Sequence, residues 1–218
     1  MIDPYSYFDR YSKTKIFQLQ AASNEFFLLN NEDFFWNDLQ VATGESYLRR
    51  IPNTGHRITG YEESLLSFYL SVADRVPLPS MKWTRTVNGT HGIIHAVIDF
   101  SAGRLKPANV TAYQARTRDT LKRDFRRAKL DQTYGNVVFN PIIWTNTAVQ
   151  FEEQIGSTIS YSLIVSIPTD GYWIAALLQA SFSEREGTTL TLTTETLILP
   201  NTYPVKEYYD QECYGRLV

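Results

Sequence analysis

The periodicity of the apolar residues changes at Pro77-Leu78-Pro79, and this change constrains the fold more than any other feature of the chain. Before it, Leu65, Phe68 and Val72 recur at the spacing of one helix face. The two prolines form an extended connector that cannot continue a helix. After it, apolar residues recur at every second position, most clearly over residues 159–167, as in strands with one buried face. The sequence therefore predicts two differently built parts.

The second part, residues 77–204, is predicted to be an antiparallel β-sandwich, followed by a C-terminal tail at 205–218. Several short segments are rich in β-branched and aromatic residues and are separated by turn-forming residues, with no helical pattern between them. The predicted strands are 93–100, 110–115, 159–167, 172–182 and 190–199. We expect Trp83, Trp144 and Trp173 to be buried in this core, and a sugar-stacking face is the alternative for them.

The first part, residues 1–76, has an α/β pattern. Strands are expected at Ile16–Gln20 and Leu48–Ile51, joined by a helix that begins near Asn31 and contains Phe34, Phe35 and Trp36. Such a unit predicts two adjacent parallel strands with a right-handed crossover. Two parallel strands cannot form a core alone, because a parallel sheet needs cover on both faces. We therefore expect the chain to be the C-terminal part of a larger protein whose α/β domain begins upstream.

Composition and charge exclude several classes of function. The chain has 218 residues, a formal net charge of −2 and a pI near 5.9, so neither nucleic acid nor an anionic membrane is an expected partner. No apolar stretch is long enough to span a bilayer. The single cysteine, Cys213, excludes an internal disulfide and a multi-thiolate metal site, so a disulfide through it would join another chain or a missing segment. No cofactor and no metal are expected.

Candidate catalytic residues follow the two predicted parallel strands. Asn24 and Glu25 come after the first strand, and His56 comes just after the second. In doubly wound hydrolases the nucleophile, the acid and the histidine follow successive strands in that order. The sequence fits this order with the nucleophile missing, since no G-x-S-x-G motif occurs. The alternatives are a structural histidine that packs a loop and a turn-forming or capping role for Asn24.

Four segments together resemble the PhoPQ-activated pathogenicity-related family. They are residues 3–7, 24–27, 47–56 and 123–126, and the resemblance extends from about residue 3 to residue 204. It implies the C-terminal part of an α/β-hydrolase-like domain followed by a β-sandwich, usually in a secreted or periplasmic protein. The N-terminal residues have no secretory signal, so we expect any signal peptide to lie outside this chain.

The chain departs from the family at the acid position. The family usually has Asp-Glu-Phe-Phe where this chain has Asn24 followed by Glu25 and two phenylalanines. An amide can orient an imidazole but stabilises its cation poorly, and the same change in a serine protease triad costs about 10⁴ in turnover. Glu25 or Asp33 could supply the missing carboxylate. Whether the chain comes from an enzyme is therefore open at this point.

Three functions compete. The first is a secreted, catalytically degenerate protein that acts by binding a protein receptor or glycan, as in extracellular signalling or proliferation control. The second is a serine hydrolase or peptidase whose nucleophile lies upstream. The third is a glycan- or protein-binding β-sandwich module.

Two surface features bear on these functions. Residues 116–129 contain seven basic and two acidic residues, a local charge of +5. This excess fits either phosphate or glycan binding or a solvated connection fixed by internal Arg–Asp pairs. Glycosylation sequons occur at Asn88 and Asn109, and the sequence alone does not decide their use.

Overall fold

The computed structural model describes residues 3–101, 106–131, 133–183, 187–205 and 209. Within them, the helical elements are two 3₁₀ segments, Pro4–Tyr11 and Asn31–Phe34, and the α-helices α1 (Trp36–Thr43) and α2 (Glu62–Ala73). The strands are β1 (Ile16–Ala21), β2 (Ser46–Ile51), β3 (Ser80–Val87), β4 (His91–Asp99), β5 (Asn109–Arg116), β6 (Ala128–Leu130), β7 (Val137–Phe139), β8 (Thr145–Thr147), β9 (Gln150–Ile155), β10 (Thr158–Ser166), β11 (Ile174–Ser183), β12 (Thr189–Thr193) and β13 (Leu197–Leu199).

Two large antiparallel sheets and the short antiparallel pair β6-β7 make up the β-rich part of the described chain. One has the strand order β3-β4-β10-β9, and the other has the order β12-β11-β5-β8 with β13 also paired to β11. Strand β4 alternates strictly, burying Gly92, Ile94, Ala96 and Ile98. These side chains pack with those of β10, β11 and β12 in one apolar core, as period-two alternation predicts.

The predicted tryptophan burial is largely confirmed. Trp144 and Trp173 are buried in a second apolar cluster, which includes residues of β5 and β11. Trp83 is only partly buried, and its ring stacks on Trp36 of α1 with the centroids 5.9 Å apart. Trp83 therefore lies at the contact between the sandwich and the first part of the chain.

Strands β1 and β2 pair in parallel, which confirms the predicted crossover unit. The register places Ile16 beside Ser46 and Ala21 beside Ile51. The connecting helix differs from the expectation, because it is broken at Phe35 (φ −144°) into a 3₁₀ segment and α1. Phe34 therefore ends the 3₁₀ segment, and Trp36 begins the α-helix.

Helix α2 lies where its apolar spacing predicts, but a different face is buried. Ser64, Ser67 and Ser71 are buried, whereas Leu66 and Tyr69 are exposed. The Ser64 hydroxyl donates to the Thr189 carbonyl at 3.0 Å and accepts from the Thr191 amide at 2.9 Å. Small serine side chains thus bring the helix close to β12. Phe68 packs against Phe17 and Tyr47, whereas Leu66 and Tyr69 point away.

None of the helices in the described ranges combines the length and apolar character that a membrane span requires. Cys213, and the disulfide predicted through it, lie outside those ranges.

Candidate functional site

The loops after β1 and β2 lie side by side, as expected for the carboxyl ends of parallel strands. The Ala22 amide donates to the Ile51 carbonyl at 2.9 Å, and the Ser23 amide donates to the Thr54 carbonyl at 3.1 Å. These bonds continue the parallel pairing beyond the strands. They bring the predicted site residues, which follow directly in both loops, to one edge of the sheet.

Asn24 and His56 are in contact, as their positions after neighbouring strands predict. The Asn24 Nδ2 atom lies 3.4 Å from His56 Nδ1. The Asn24 Oδ1 atom accepts the backbone amides of Phe26 and Phe27 at 2.8 and 3.2 Å. The side chain therefore forms an Asx turn with its oxygen and presents its amino group to the imidazole.

Glu25 holds the His56 backbone rather than its ring. Its Oε2 atom accepts the main-chain amide of His56 at 2.5 Å. The carboxylate lies so close to the neighbouring Gly55 that a Cβ there would overlap both carboxylate oxygens. Within the described part of the chain, no carboxylate forms an ion pair with the His56 ring. Glu25 thus positions the loop and does not occupy the place of a triad acid.

The contact from Asn24 favours one tautomer of His56. An amide NH₂ only donates, so a hydrogen bond from it requires Nδ1 to be the unprotonated nitrogen of the neutral ring. The proton then lies on Nε2. A triad histidine needs the opposite tautomer, with Nδ1–H held by a carboxylate and Nε2 free to accept a proton. In this arrangement His56 can donate a hydrogen bond from Nε2 but is not prepared to act as a base there.

A cavity of about 390 Å³ opens beside this pair. Asn24, Phe27 and His56 line this cavity. Gln20 and Arg50 line it as well. The rings of Phe26 and Phe27 are exposed and lie against His56, with the Phe26 ring edge-on at a centroid distance of 4.8 Å. The site thus combines a hydrogen-bond donor with exposed aromatic surface.

A buried ion pair underlies the cavity. Arg50 and Glu32 are each 1% exposed, and their side chains are bonded to each other. Arg50 Nη2 also donates to Gln20 Oε1 at 2.6 Å, and its backbone amide donates to Thr193 Oγ1 of β12 at 2.8 Å. Burial raises the pKa of the Glu32 carboxyl, and the nearby Arg50 charge opposes that rise.

A second charged group links the site loops to the sandwich. Arg85 of β3 pairs with Asp33 at 2.8 Å and with Glu195 at 3.0 Å, and Trp83 Nε1 donates to Glu195 Oε2 at 2.9 Å. Burial also raises the pKa of Glu195. Because Asp33 is held by Arg85, the side chain that could have replaced the missing acid is used to join two parts of the fold.

Neither a nucleophile nor a metal site accompanies His56 in the described residues. Ser23, which directly precedes Asn24, is fully buried, and its hydroxyl accepts a hydrogen bond from Trp144 Nε1 at 3.2 Å. No group of three or more metal-ligating side chains occurs in this part of the chain. The catalytic roles of His56, Asn24 and Glu25 stay predictions.

Comparison with known proteins identifies the family. The family model for PhoPQ-activated pathogenicity-related protein matches residues 1–126. The chain belongs to this family. It is also similar to autocrine proliferation repressor protein A from Dictyostelium discoideum, with 32% identity over 213 residues. That similarity covers 94% of this chain but 41% of the relative, so the chain spans about two fifths of the relative's length.

For this PhoPQ-related chain, the family match includes both site loops. Residues 24–27 and 47–56 lie inside the matched range, as do Glu32 and Arg50. The sequence does not predict the Glu32–Arg50 pair. An acidic residue such as Glu32 is common in the first turn of a helix, so it does not by itself indicate an ion pair. The available signal was Arg50 itself, a charged residue two positions after Leu48 and thus on the same face of a strand that ends at Ile51.

Proposed function

We propose that this chain is part of a secreted α/β-hydrolase-fold protein that lacks triad catalysis and acts by binding a protein receptor or a glycan. The observation that carries the proposal is the Asn24–His56 contact, in which an amide donates to Nδ1 and no described carboxylate pairs with the ring. The same edge of the sheet exposes Phe26 and Phe27, and exposed clustered aromatic residues are typical of binding surfaces.

Secretion is supported by the character of the relative and by one surface feature. An autocrine factor, as the Dictyostelium protein is named, acts after it leaves the cell that makes it. The sequon at Asn88 occupies the exposed turn between β3 and β4, where an attached glycan would meet no neighbouring strand. The sequon at Asn109 lies at the start of β5, and its Thr111 is only 8% exposed, whereas Thr90 of the Asn88 sequon is exposed. We therefore expect glycosylation at Asn88 in preference to Asn109.

The tautomer of His56 is the most direct test of the lost catalytic arrangement. Long-range ¹H–¹⁵N NMR of the neutral ring should show an unprotonated Nδ1 in the wild-type chain. Asn24→Asp should move the proton to Nδ1, because a carboxylate accepts where the amide donated. Asn37→Asp introduces the same charge on the exposed surface of α1 and should leave the tautomer unchanged. A protonated Nδ1 in the wild-type chain would contradict the proposed arrangement.

Activity provides a second test. The chain and its His56→Ala variant should show the same background in a panel of ester and peptide substrates. Turnover that disappears in His56→Ala would instead favour the serine hydrolase alternative. That alternative is supported by the placement of Asn24 and His56 after neighbouring parallel strands, which is the arrangement of hydrolase site loops.

Binding is tested with labelled chain on cells of its own species. Saturable binding should weaken about tenfold or more when Phe26 and Phe27 are both changed to serine, because exposed aromatic anchors carry much of the energy of an interface. Ile155→Ser removes a similarly exposed apolar side chain from β9 and should have little effect. Equal effects of the two changes would place the binding surface elsewhere.

A further inference from the structure

A second cleft, distant in sequence from His56, lies between the loop after β5 and the β6–β7 hairpin. Its volume is about 340 Å³, and Arg118, Lys122 and Lys129 are among the residues that line it. All three are exposed, and none has an ion-pair partner in the ranges that the structure describes. The cleft therefore presents three positive charges that are free to meet a ligand.

Three carboxylates, those of Asp119, Asp124 and Asp131, line the same cleft, and the backbone amides that hold Asp119 and Asp131 leave their negative charge in place. Asp119 accepts the amides of Leu121 and Lys122 at 3.0 and 2.9 Å. Asp131 accepts the amides of Thr133 and Tyr134 at 2.8 and 3.3 Å.

Asp124 is held in a bidentate pair by Arg126, through Nε at 2.9 Å and Nη2 at 2.7 Å. Residues 116–131 contain seven basic and three acidic side chains, a surplus of 7 − 3 = +4 in a chain of net charge −2. Only one Arg–Asp pair is internal to the described part of this segment, because Arg116 pairs with Asp170 outside it. The internal pairing expected from the sequence thus leaves most of the positive charge unmatched.

Asn140 adds an unmatched acceptor to the cleft wall. The residue is 4% exposed, and its Nδ2 atom donates to the Arg126 carbonyl at 2.8 Å. Its Oδ1 atom is buried and has no hydrogen-bond partner among the described residues. A buried acceptor without a partner is costly, and a ligand hydroxyl that reached it through a small movement of the cleft wall would satisfy it.

We propose that this cleft binds an acidic oligosaccharide, whose sulfate or carboxylate groups pair with Arg118, Lys122 and Lys129 and whose hydroxyl donates to Asn140. A free sulfate ion has no O–H group to donate, so it would leave Asn140 Oδ1 without a hydrogen bond. A sugar hydroxyl can donate this bond. The exposed side chains of Leu121 and Leu130 offer apolar contacts for the C–H faces of sugar rings. The proposal concerns a site separate from His56 and stands independently of the function proposed there.

The test is calorimetric titration of the full chain with a heparin-derived hexasaccharide, using chitohexaose and sodium sulfate as comparison ligands. The acidic hexasaccharide should bind, and its affinity should fall as salt increases. Changing Arg118, Lys122 and Lys129 together to glutamine should weaken binding about 30-fold or more, because three charge-assisted contacts are lost. A matched control changes Lys13, Arg57 and Lys82 to glutamine, which removes the same charge from exposed positions outside the cleft.

The control triple variant should bind within about twofold of the wild-type chain, since screening makes distant exposed charges weak. Equal losses in the two triple variants would show attraction to the net charge alone and would overturn the proposal. Equal affinity for chitohexaose, or for sulfate at the same sulfate concentration, would overturn it as well. Binding to phosphatidylserine vesicles without binding to the hexasaccharide would assign the cleft to a membrane instead. His56→Ala should leave the hexasaccharide affinity unchanged, which separates this result from the His56 site.

Discussion

The sandwich and the parallel-strand unit differ in how they bury apolar side chains. In the sandwich, Ile98 of β4 and Leu178 of β11 are completely buried in one apolar core. In the parallel-strand unit, α2 turns serines inward and leaves Leu66 48% exposed and Tyr69 62% exposed. The sandwich thus closes its own core, whereas the parallel unit does not.

Polar contacts accompany the apolar ones at the junction of the two regions. Arg50 joins Glu32 to β12, Arg85 joins Asp33 to Glu195, and Ser64 joins α2 to β12. A buried ion pair depends on having both partners, because a single buried charge is strongly unfavourable. The comparison teaches that the junction should be less tolerant of single substitutions than its apolar contacts alone suggest.

Removal of Arg50 should have the largest effect on stability. Arg50→Ala leaves the Glu32 carboxylate buried without its cation and should lower the free energy of unfolding by about 3 to 5 kcal/mol. Arg57→Ala removes an exposed arginine from the site loop and should change it by less than about 0.5 kcal/mol. Chemical denaturation measures both values. Similar small losses would show that the ion pair does not hold the junction.

Apolar truncation should separate the two regions directly. Leu178→Ala creates a cavity in the closed sandwich core and should cost about 2 to 5 kcal/mol. Leu66→Ala removes the same atoms from the exposed face of α2 and should cost less than about 1 kcal/mol. The same denaturation series checks the difference. Comparable losses would mean that the outer face of α2 is covered in solution.

The serine face of α2 provides a finer comparison within one helix. Ser64→Ala removes both hydrogen bonds to β12 and leaves the Thr191 amide without its partner, so it should cost about 1 to 3 kcal/mol. Ser67→Ala should be nearly neutral, because the buried Ser67 hydroxyl has no hydrogen-bond partner among the described residues. Thermal unfolding of the two variants tests this difference, and a larger loss for Ser67→Ala would contradict it.

The smallest expected effect is on the pH dependence of stability. Burial raises the pKa of Glu195 above 4.5, its value in an unfolded chain, so the folded state binds this proton first as the pH falls. The stability of the wild-type chain relative to Glu195→Gln should therefore increase as the pH is lowered from 7 towards 4.5. A relative stability that decreases over this range would reverse the assignment.

The sequence predicted those elements whose pattern is local. Alternation along β4 and β10 and the pairing of β1 with β2 follow from residues that are close in the chain or joined by one crossover. Helix α2 was predicted as a helix for the same reason. The buried face of α2 was not predicted, because that face is set by contacts with β12, about 125 residues later in the chain.

The candidate site was predictable in position but not in chemistry. The placement of Asn24 and His56 after parallel strands brings them together on topological grounds alone. The direction of the Asn24 amide, however, depends on the Phe26 and Phe27 amides that hold its oxygen. The pairing of Glu32 with Arg50 joins the 3₁₀ segment to a strand 18 residues later, and no local pattern marks it.

The contact between Glu25 and Gly55 has a consequence for how the family can diverge. Because the carboxylate occupies the space of any Cβ at position 55, a larger residue there displaces the Glu25 carboxylate from the His56 amide that it holds. Relatives that have a larger residue in place of Gly55 are therefore expected to have a shorter side chain in place of Glu25. The two positions should be inherited as a pair, and that covariation would record this contact in relatives whose structures have never been determined.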